Sequence, residues 1–199
     1  MRFFLPFGLA GLALLGAFPA PITSAEAAAP APARWTVDKA ASRVGFRSSF
    51  AGGAFVGRFG RWDAAIIFDP KNLAASRVAA VIDMASARTG EASRDSALPT
   101  ADWFNTAKFP RATFVSRSFK SLGNGRYQAV GDLTIRGVKR SVVLPFTLAI
   151  AGKQAKMQGA LKLDRTHFGV GQGQWSSGET VPTAVTVEVA ITASRKAAK

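Results

Sequence analysis

Cysteine is absent, histidine and tyrosine each occur once, and acidic residues number 12 against 26 basic ones. Without cysteine there is no disulfide, no thiolate redox centre or metal ligand, and no thiol to acylate at a processed N-terminus. The lone imidazole, His167, cannot form a two-histidine metal site, and no H-E-x-x-H, C-x-x-C or G-x-S-x-G spacing occurs. The glycines of G-G-A-F-V-G (52–57) and G-V-G-Q-G (169–173) lack the lysine and the strand-to-helix setting that cradle a phosphate. The chain therefore reads as a binding protein and not an enzyme, with no metal or cofactor expected.

What is present first is a leader. Arg2 precedes an uncharged apolar run from Phe3 to Phe18, and Ala25-Glu26-Ala27 offers a small-x-small cleavage site. This is the layout of a secretory signal peptide over 1–27. An alternating Ala–Pro stretch at 28–33, expected to be disordered, leads into one domain over 34–195 of roughly 165 residues. No later stretch is apolar for long enough to span a bilayer. The expected location is secreted, in the periplasm. Removing the leader takes away one base and one acid, so the formal charge stays at +14. A domain this basic is drawn to polyanions. Export argues against nucleic acid, which leaves anionic headgroups or envelope polymers.

Through most of the domain apolar and polar residues alternate two by two, the period of half-buried strands. Val44, Phe46 and Phe50 share one parity, Gly52-Gly53 marks a hairpin turn, and Phe55 and Phe59 return. Trp62, Ala64, Ile66 and Phe68 then sit on the opposite parity, which requires one extra residue; Gly60 is the natural bulge. Val78–Met84, Ala112–Ser116, Tyr127–Ile135, Val142–Ile150, Met157–Leu163 and Val181–Ile191 continue the pattern, with turns at 69–72, 123–125, 136–137 and 152–153. About eight antiparallel strands suit a barrel or sandwich. The one long interruption, Ser86 to Phe114, carries Trp103, Phe104 and Phe109. It is too apolar for a free linker and is expected to form a short helical cap, with those three aromatics plugging one end. Arg94 and Asp95 at its middle are expected to pair with neighbours and hold the cap, the alternative being contact with a ligand.

The ordered series W-T-V-D (35–38), V-G-F (44–46), G-R-F (57–59), T-G…R-D…L (89–98), W-F…F-P-x-A-T-F (103–114), G-D-L-T-I-R-G-V (131–138) and R-T-H-F-G-V (165–170) resembles the YceI-like family. These are secreted, lipocalin-like proteins associated with binding polyisoprenoids. The resemblance spans the whole mature domain. It implies an all-β, eight-stranded antiparallel barrel, capped by the interruption and holding a long apolar ligand. One departure is that members often carry His a few residues after V-x-F, where this chain reads Ser48-Ser49.

An eight-stranded barrel is just wide enough to be filled by side chains or to hold one slender ligand. Small residues on the candidate inward faces (Ala64, Ala80, Ala129, Gly131, Gly159) are expected to leave volume unfilled. A strand of about ten residues rises ~33 Å, or ~23 Å when tilted, which exceeds the ~15 Å depth of one leaflet. The side chains assigned to the ligand are Phe46, Phe55, Phe59, Ile66, Phe68, Ile82, Phe104, Phe114, Leu133, Ile135 and Phe146, with Arg58 as the headgroup candidate; Arg47, Arg58 and Arg61 flank the aromatic hairpin and either meet a headgroup at the mouth or form a solvated outward face. The function expected is storage or transport of an isoprenoid lipid, a quinone included. A membrane surface, a membrane redox protein or a second copy of the chain is left open as partner. The alternative is a structural or stress-response envelope protein with a filled core, binding anionic polymers through its basic surface.

Overall fold

The computed structural model describes residues 33–195; the signal peptide expected over 1–27 and the expected Ala–Pro leader up to residue 32 lie outside the described residues. The alternating segments form strands β1 (Arg34–Phe50), β2 (Gly53–Phe59), β3 (Trp62–Ile67), β4 (Arg77–Asp83), β5 (Ala87–Arg88), β6 (Arg111–Gly123), β7 (Arg126–Ile135), β8 (Val138–Ala151), β9 (Gln154–Asp164) and β10 (Ala184–Arg195). Helix α1 (Ala92–Ala97) is the single α-helix among the described residues. Every pairing is antiparallel, and the order β10-β9-β8-β7-β6-β4-β3-β1 closes on itself where β1 meets β10. Closure removes every free edge along that ring.

Ten segments make eight barrel strands because two strands are broken at the same level. β1 pairs with both β2 and β3, so these are two parts of one strand, interrupted at Gly60-Arg61. Its neighbour is interrupted beside it by a single 3₁₀ turn, Met84–Ser86, between β4 and β5. The breaks are stitched together: Gly60 N–H donates to the Ser86 carbonyl at 3.0 Å, Arg61 N–H to Ser86 Oγ at 3.0 Å, and Asp83 N–H to the Arg61 carbonyl at 3.0 Å. The parity change expected at Gly60 thus appears as a full break, matched across the ladder. The first hairpin turn is Ala51-Gly52, with φ of 45° and 82°, and Gly53 is already paired with Phe50. Ala51 tolerates the left-handed conformation because its N–H is anchored on the Thr180 carbonyl at 2.8 Å.

Two buried clusters divide the interior. One, next to α1, contains Phe46, Met84, Leu98, Phe104, Phe168 and Val170. The other, at the far end, gathers Trp35, Phe68, Ala129 and Phe146. There Trp35 Nε1 donates to the Phe68 carbonyl at 2.9 Å, and the Phe68 ring meets those of Phe119, Tyr127 and Phe146 at 5.2, 5.5 and 6.1 Å. Edge-to-face packing of this kind closes that end with aromatic surface. Two small residues expected to leave empty volume do not. The space above Gly131 is taken by the Phe114 ring and the Val115 carbonyl, and that above Gly159 by Leu144, Phe146 and the Pro145 carbonyl. These glycines let neighbours close in; they do not hollow the barrel.

Candidate binding cavity

The barrel is nonetheless hollow. A chamber of about 400 Å³ lies under the cap and a second of about 190 Å³ lies toward the aromatic end. Among the residues assigned from sequence, Phe46, Phe55, Phe59, Phe104 and Ile135 line the larger chamber. Ile66, Phe68, Phe114 and Phe146 line the smaller, and Ile82 and Leu133 line both. Val44 and Val187 are likewise shared. These four aliphatic side chains come from β4, β7, β1 and β10, and they form a neck between the chambers. The smaller chamber has no charged residue in its wall.

Arg58 is not brought to this site. It is exposed, faces outward between Gly45 and Arg88, and lines neither chamber. Because Phe59 points inward, its neighbour on the strand points out. Arg47 and Arg61 also face outward, engaged with Glu188 and Asp83. Two cations line the larger chamber, Arg165 and Arg94 of α1; the guanidinium carbon of Arg94 sits 4.8 Å from the centre of the Phe55 ring. Arg94 also holds the cap, pairing with Glu91 at 3.8 Å and donating to Thr89 Oγ1 at 3.3 Å. Asp95 accepts from the Thr89 N–H and hydroxyl at 2.6 and 2.7 Å.

Glu91 caps α1. Its carboxylate accepts from the Ser93 hydroxyl and from the N–H groups of Ser93 and Arg94, and these bonds hold its pKa down to about 2 from an ordinary 4.5. Trp103 and Phe104 wall the larger chamber as expected of the cap aromatics. Phe109 does not. Its ring lies over Gly137, with the Arg136 guanidinium carbon 5.9 Å from the ring centre.

A second wall went unseen in the sequence. Residues 165–183, between β9 and β10, fold as a strap carrying two 3₁₀ turns, and Phe168, Val170, Trp175 and Val181 from it line the larger chamber. Arg165 organises the strap from the inside and is only 5% exposed. Its Nε donates to the Pro182 carbonyl at 3.0 Å, Nη1 to Val170 and Gly171 at 2.8 and 3.0 Å, and Nη2 to Trp175 and Val181. The guanidinium carbon also lies 5.4 Å from the centre of the Trp103 ring, joining strap to cap. A buried cation without a paired carboxylate is tolerable only when its donors are all used; burial still pushes its pKa below the usual value. Gly171 is required here, because a side chain at its φ of 78° would run into the Arg165 guanidinium.

His167 is exposed, and it is its backbone carbonyl that takes a bond, from Arg140 Nε at 2.8 Å. Among the described residues no group of three His, Asp or Glu side chains could hold a metal ion.

The YceI-like domain signature matches residues 35–193. This chain belongs to the YceI-like family. Protein YceI of Escherichia coli O157:H7 is 34% identical over 152 residues, covering 73% of this chain and 79% of that protein. The crystal structure of Burkholderia cenocepacia BcnA matches with a TM-score of 0.76 at 31% identity, over 79% of this chain and 99% of that one. A polyisoprenoid binding domain from Saccharophagus degradans, implicated in plant cell wall breakdown, shares the fold with a TM-score of 0.66 at 18% identity, over 83% and 99% of the two chains. In this YceI-like barrel the serine pair that departs from the family pattern is split by the pleat. Ser48 lines the larger chamber, and its hydroxyl is buried without a hydrogen-bond partner among the described residues. Ser49 lines neither chamber and pairs with Ala54.

Proposed function

We propose that this YceI-like protein is a carrier, holding a polyisoprenoid or related long-chain lipid, an isoprenoid quinone included, in the two chambers for storage or transport in the periplasm. The observation that supports this most is that Val44, Ile82, Leu133 and Val187 line both apolar chambers, which therefore adjoin at this neck. The larger chamber falls within the ~300–1,000 Å³ usual for ligand pockets. A compact ligand would use it alone, whereas a slender chain would use both. Membership of the family, which the sequence resemblance associates with polyisoprenoids, supports the ligand class.

Energetics favour exchange over tight capture. At about 0.8 kcal/mol per buried CH₂, a long prenyl chain would nominally exceed the ceiling near 20 kcal/mol for non-covalent binding. Its chain comes from a bilayer that already shelters it, so a carrier needs only rough parity with the membrane. The polar groups of the larger chamber's wall, Ser48, Thr89, Ser93, Arg94 and Arg165, are where a headgroup would find hydrogen bonds.

The test is Leu133→Trp, which enlarges a neck residue. Partition of farnesol, a short prenyl alcohol, and solanesol, a long one, from detergent micelles is measured for both proteins. Farnesol binding is expected to hold while solanesol binding falls by about tenfold or more, the equivalent of about 1.4 kcal/mol. Equal solanesol binding by both proteins would refute a ligand threaded through the neck.

A further inference from the structure

Exposed basic side chains ring the aromatic end of the barrel. At the aromatic end the first strand begins, the last strand ends, and the β3–β4, β6–β7 and β8–β9 connections gather. Arg34 opens β1 and Arg195 closes β10, where the Arg195 N–H donates to the Lys153 carbonyl at 2.8 Å. Lys71 and Arg77 flank the β3–β4 connection, and Lys120 and Arg126 flank the β6–β7 turn. All seven are exposed, and among the described residues none forms an ion pair. The acids in this half are Asp69, which is half-buried and accepts the Lys71 N–H at 2.9 Å, Asp38, whose carboxylate accepts the N–H groups of Ala40 and Ala41, and Asp63, which is paired with Lys39. Glu91, Asp95, Asp102, Asp164, Glu179 and Glu188 all lie in the cap half. Seven cations without ion-pair partners on one end repel each other, although Arg77 also donates to the Ala74 and Ser76 carbonyls at 2.7 and 2.6 Å.

Apolar residues stand among them. Leu122 and Ile150 are each 40% exposed, Leu122 between Lys120 and Arg126, Ile150 just ahead of Lys153. The β6–β7 turn is tied to strand β8, the Leu148 N–H donating to the Gly125 carbonyl at 2.8 Å. Charge alone would suit any polyanion. Exposed aliphatic tips inside a basic ring suit a surface that is anionic outside and hydrocarbon beneath.

We propose that this end is a docking surface for an anionic phospholipid bilayer, its basic side chains meeting lipid phosphates while Leu122 and Ile150 enter the headgroup layer. The inference rests on the carrier reading, since a long-chain lipid must be collected from or delivered to a membrane. Docked in this way, the barrel keeps its cap and larger chamber pointing away from the bilayer.

The experiment is co-sedimentation of delipidated protein with vesicles of phosphatidylcholine alone, or of phosphatidylcholine and phosphatidylglycerol in equal parts. Binding is expected for the anionic vesicles only, weakening as salt screens the charges. Neutralising three pole residues together (Lys120→Gln, Arg126→Gln, Lys153→Gln) is expected to weaken it roughly a hundredfold. The same number of changes in the cap half (Arg58→Gln, Arg88→Gln, Lys139→Gln) is expected to leave it within about threefold. Leu122→Ser with Ile150→Ser is expected to lower the binding that survives at high salt. Equal loss from both triple variants, or capture by an anionic polysaccharide without capture by vesicles, would overturn the proposal. The vesicles are offered to empty protein, so the result is independent of cavity occupancy. Failed docking by a protein that still yields a lipid on extraction defeats only the docking surface, and docking by a protein that yields none defeats only the carrier reading.

Discussion

Arg165→Met removes the strap's internal organiser while keeping most of its side-chain volume. Five carbonyls lose a donor, and three of them, Val170, Gly171 and Val181, are met in fully buried bonds. At about 1–1.5 kcal/mol for each buried acceptor left unsatisfied, the loss is about 3–5 kcal/mol. The carbonyls of Pro182 and Trp175 are partly exposed and can rehydrate, so they add little. For a domain of this size 1 kcal/mol moves Tm by about 2–4 °C, so a fall of about 6–20 °C is expected in a circular-dichroism melt. Proteolysis below the transition should cut within 165–183 before it reaches the barrel strands, because the strap is the part released. Arg165→Lys keeps the charge but cannot reach five acceptors, and should recover less than half of the loss. A melt within about 2 °C of the parent for Arg165→Met would refute the reasoning, since it would mean that the carbonyls find water or new partners at no cost.

Acid should loosen the cap. The Glu91 carboxylate has a folded-state pKa of about 2 against an ordinary 4.5, held down by the Ser93 hydroxyl and the N–H groups at the start of α1. A depressed acid contributes stability that is fully present above pH 4.5 and lost as pH falls toward 2. Hydrogen exchange across Ala92–Ala97 should therefore quicken over that window, and Glu91→Gln should show the faster exchange at neutral pH with little further change on acidification. An unchanged pH profile in Glu91→Gln would remove Glu91 as the cause.

The barrel was largely legible in the sequence because a strand's two-residue period survives wherever one face is buried. The change of parity between Phe59 and Trp62 even located the break at Gly60. The same rule places Arg58 outward, since Phe55 and Phe59 face in, and so decides for the solvated face over a headgroup contact at the mouth. Gly131 and Gly159 misled. A missing side chain can mean free volume or close approach, and only the position of Phe114 or Leu144 decides between them. Arg165 could not have been found from residue types at all, because its partners are backbone carbonyls brought together by the strap's turns. Its one trace was the glycine spacing of G-V-G-Q-G, which reads equally well as a loose loop. The neck of Val44, Ile82, Leu133 and Val187 was half visible: Ile82 and Leu133 were picked out by parity, but that four strands contribute at one level is a matter of register and closure.

The claim on which the rest depends is that the paired chambers hold a long-chain lipid. Protein expressed from the full 199-residue sequence, purified without detergent, is extracted into organic solvent and the extract analysed by mass spectrometry. A stoichiometric prenyl-chain lipid, sharply reduced in the Leu133→Trp protein, is the result expected. An extract with no apolar molecule, from protein whose interior is shown to be dry and closed, would contradict the account.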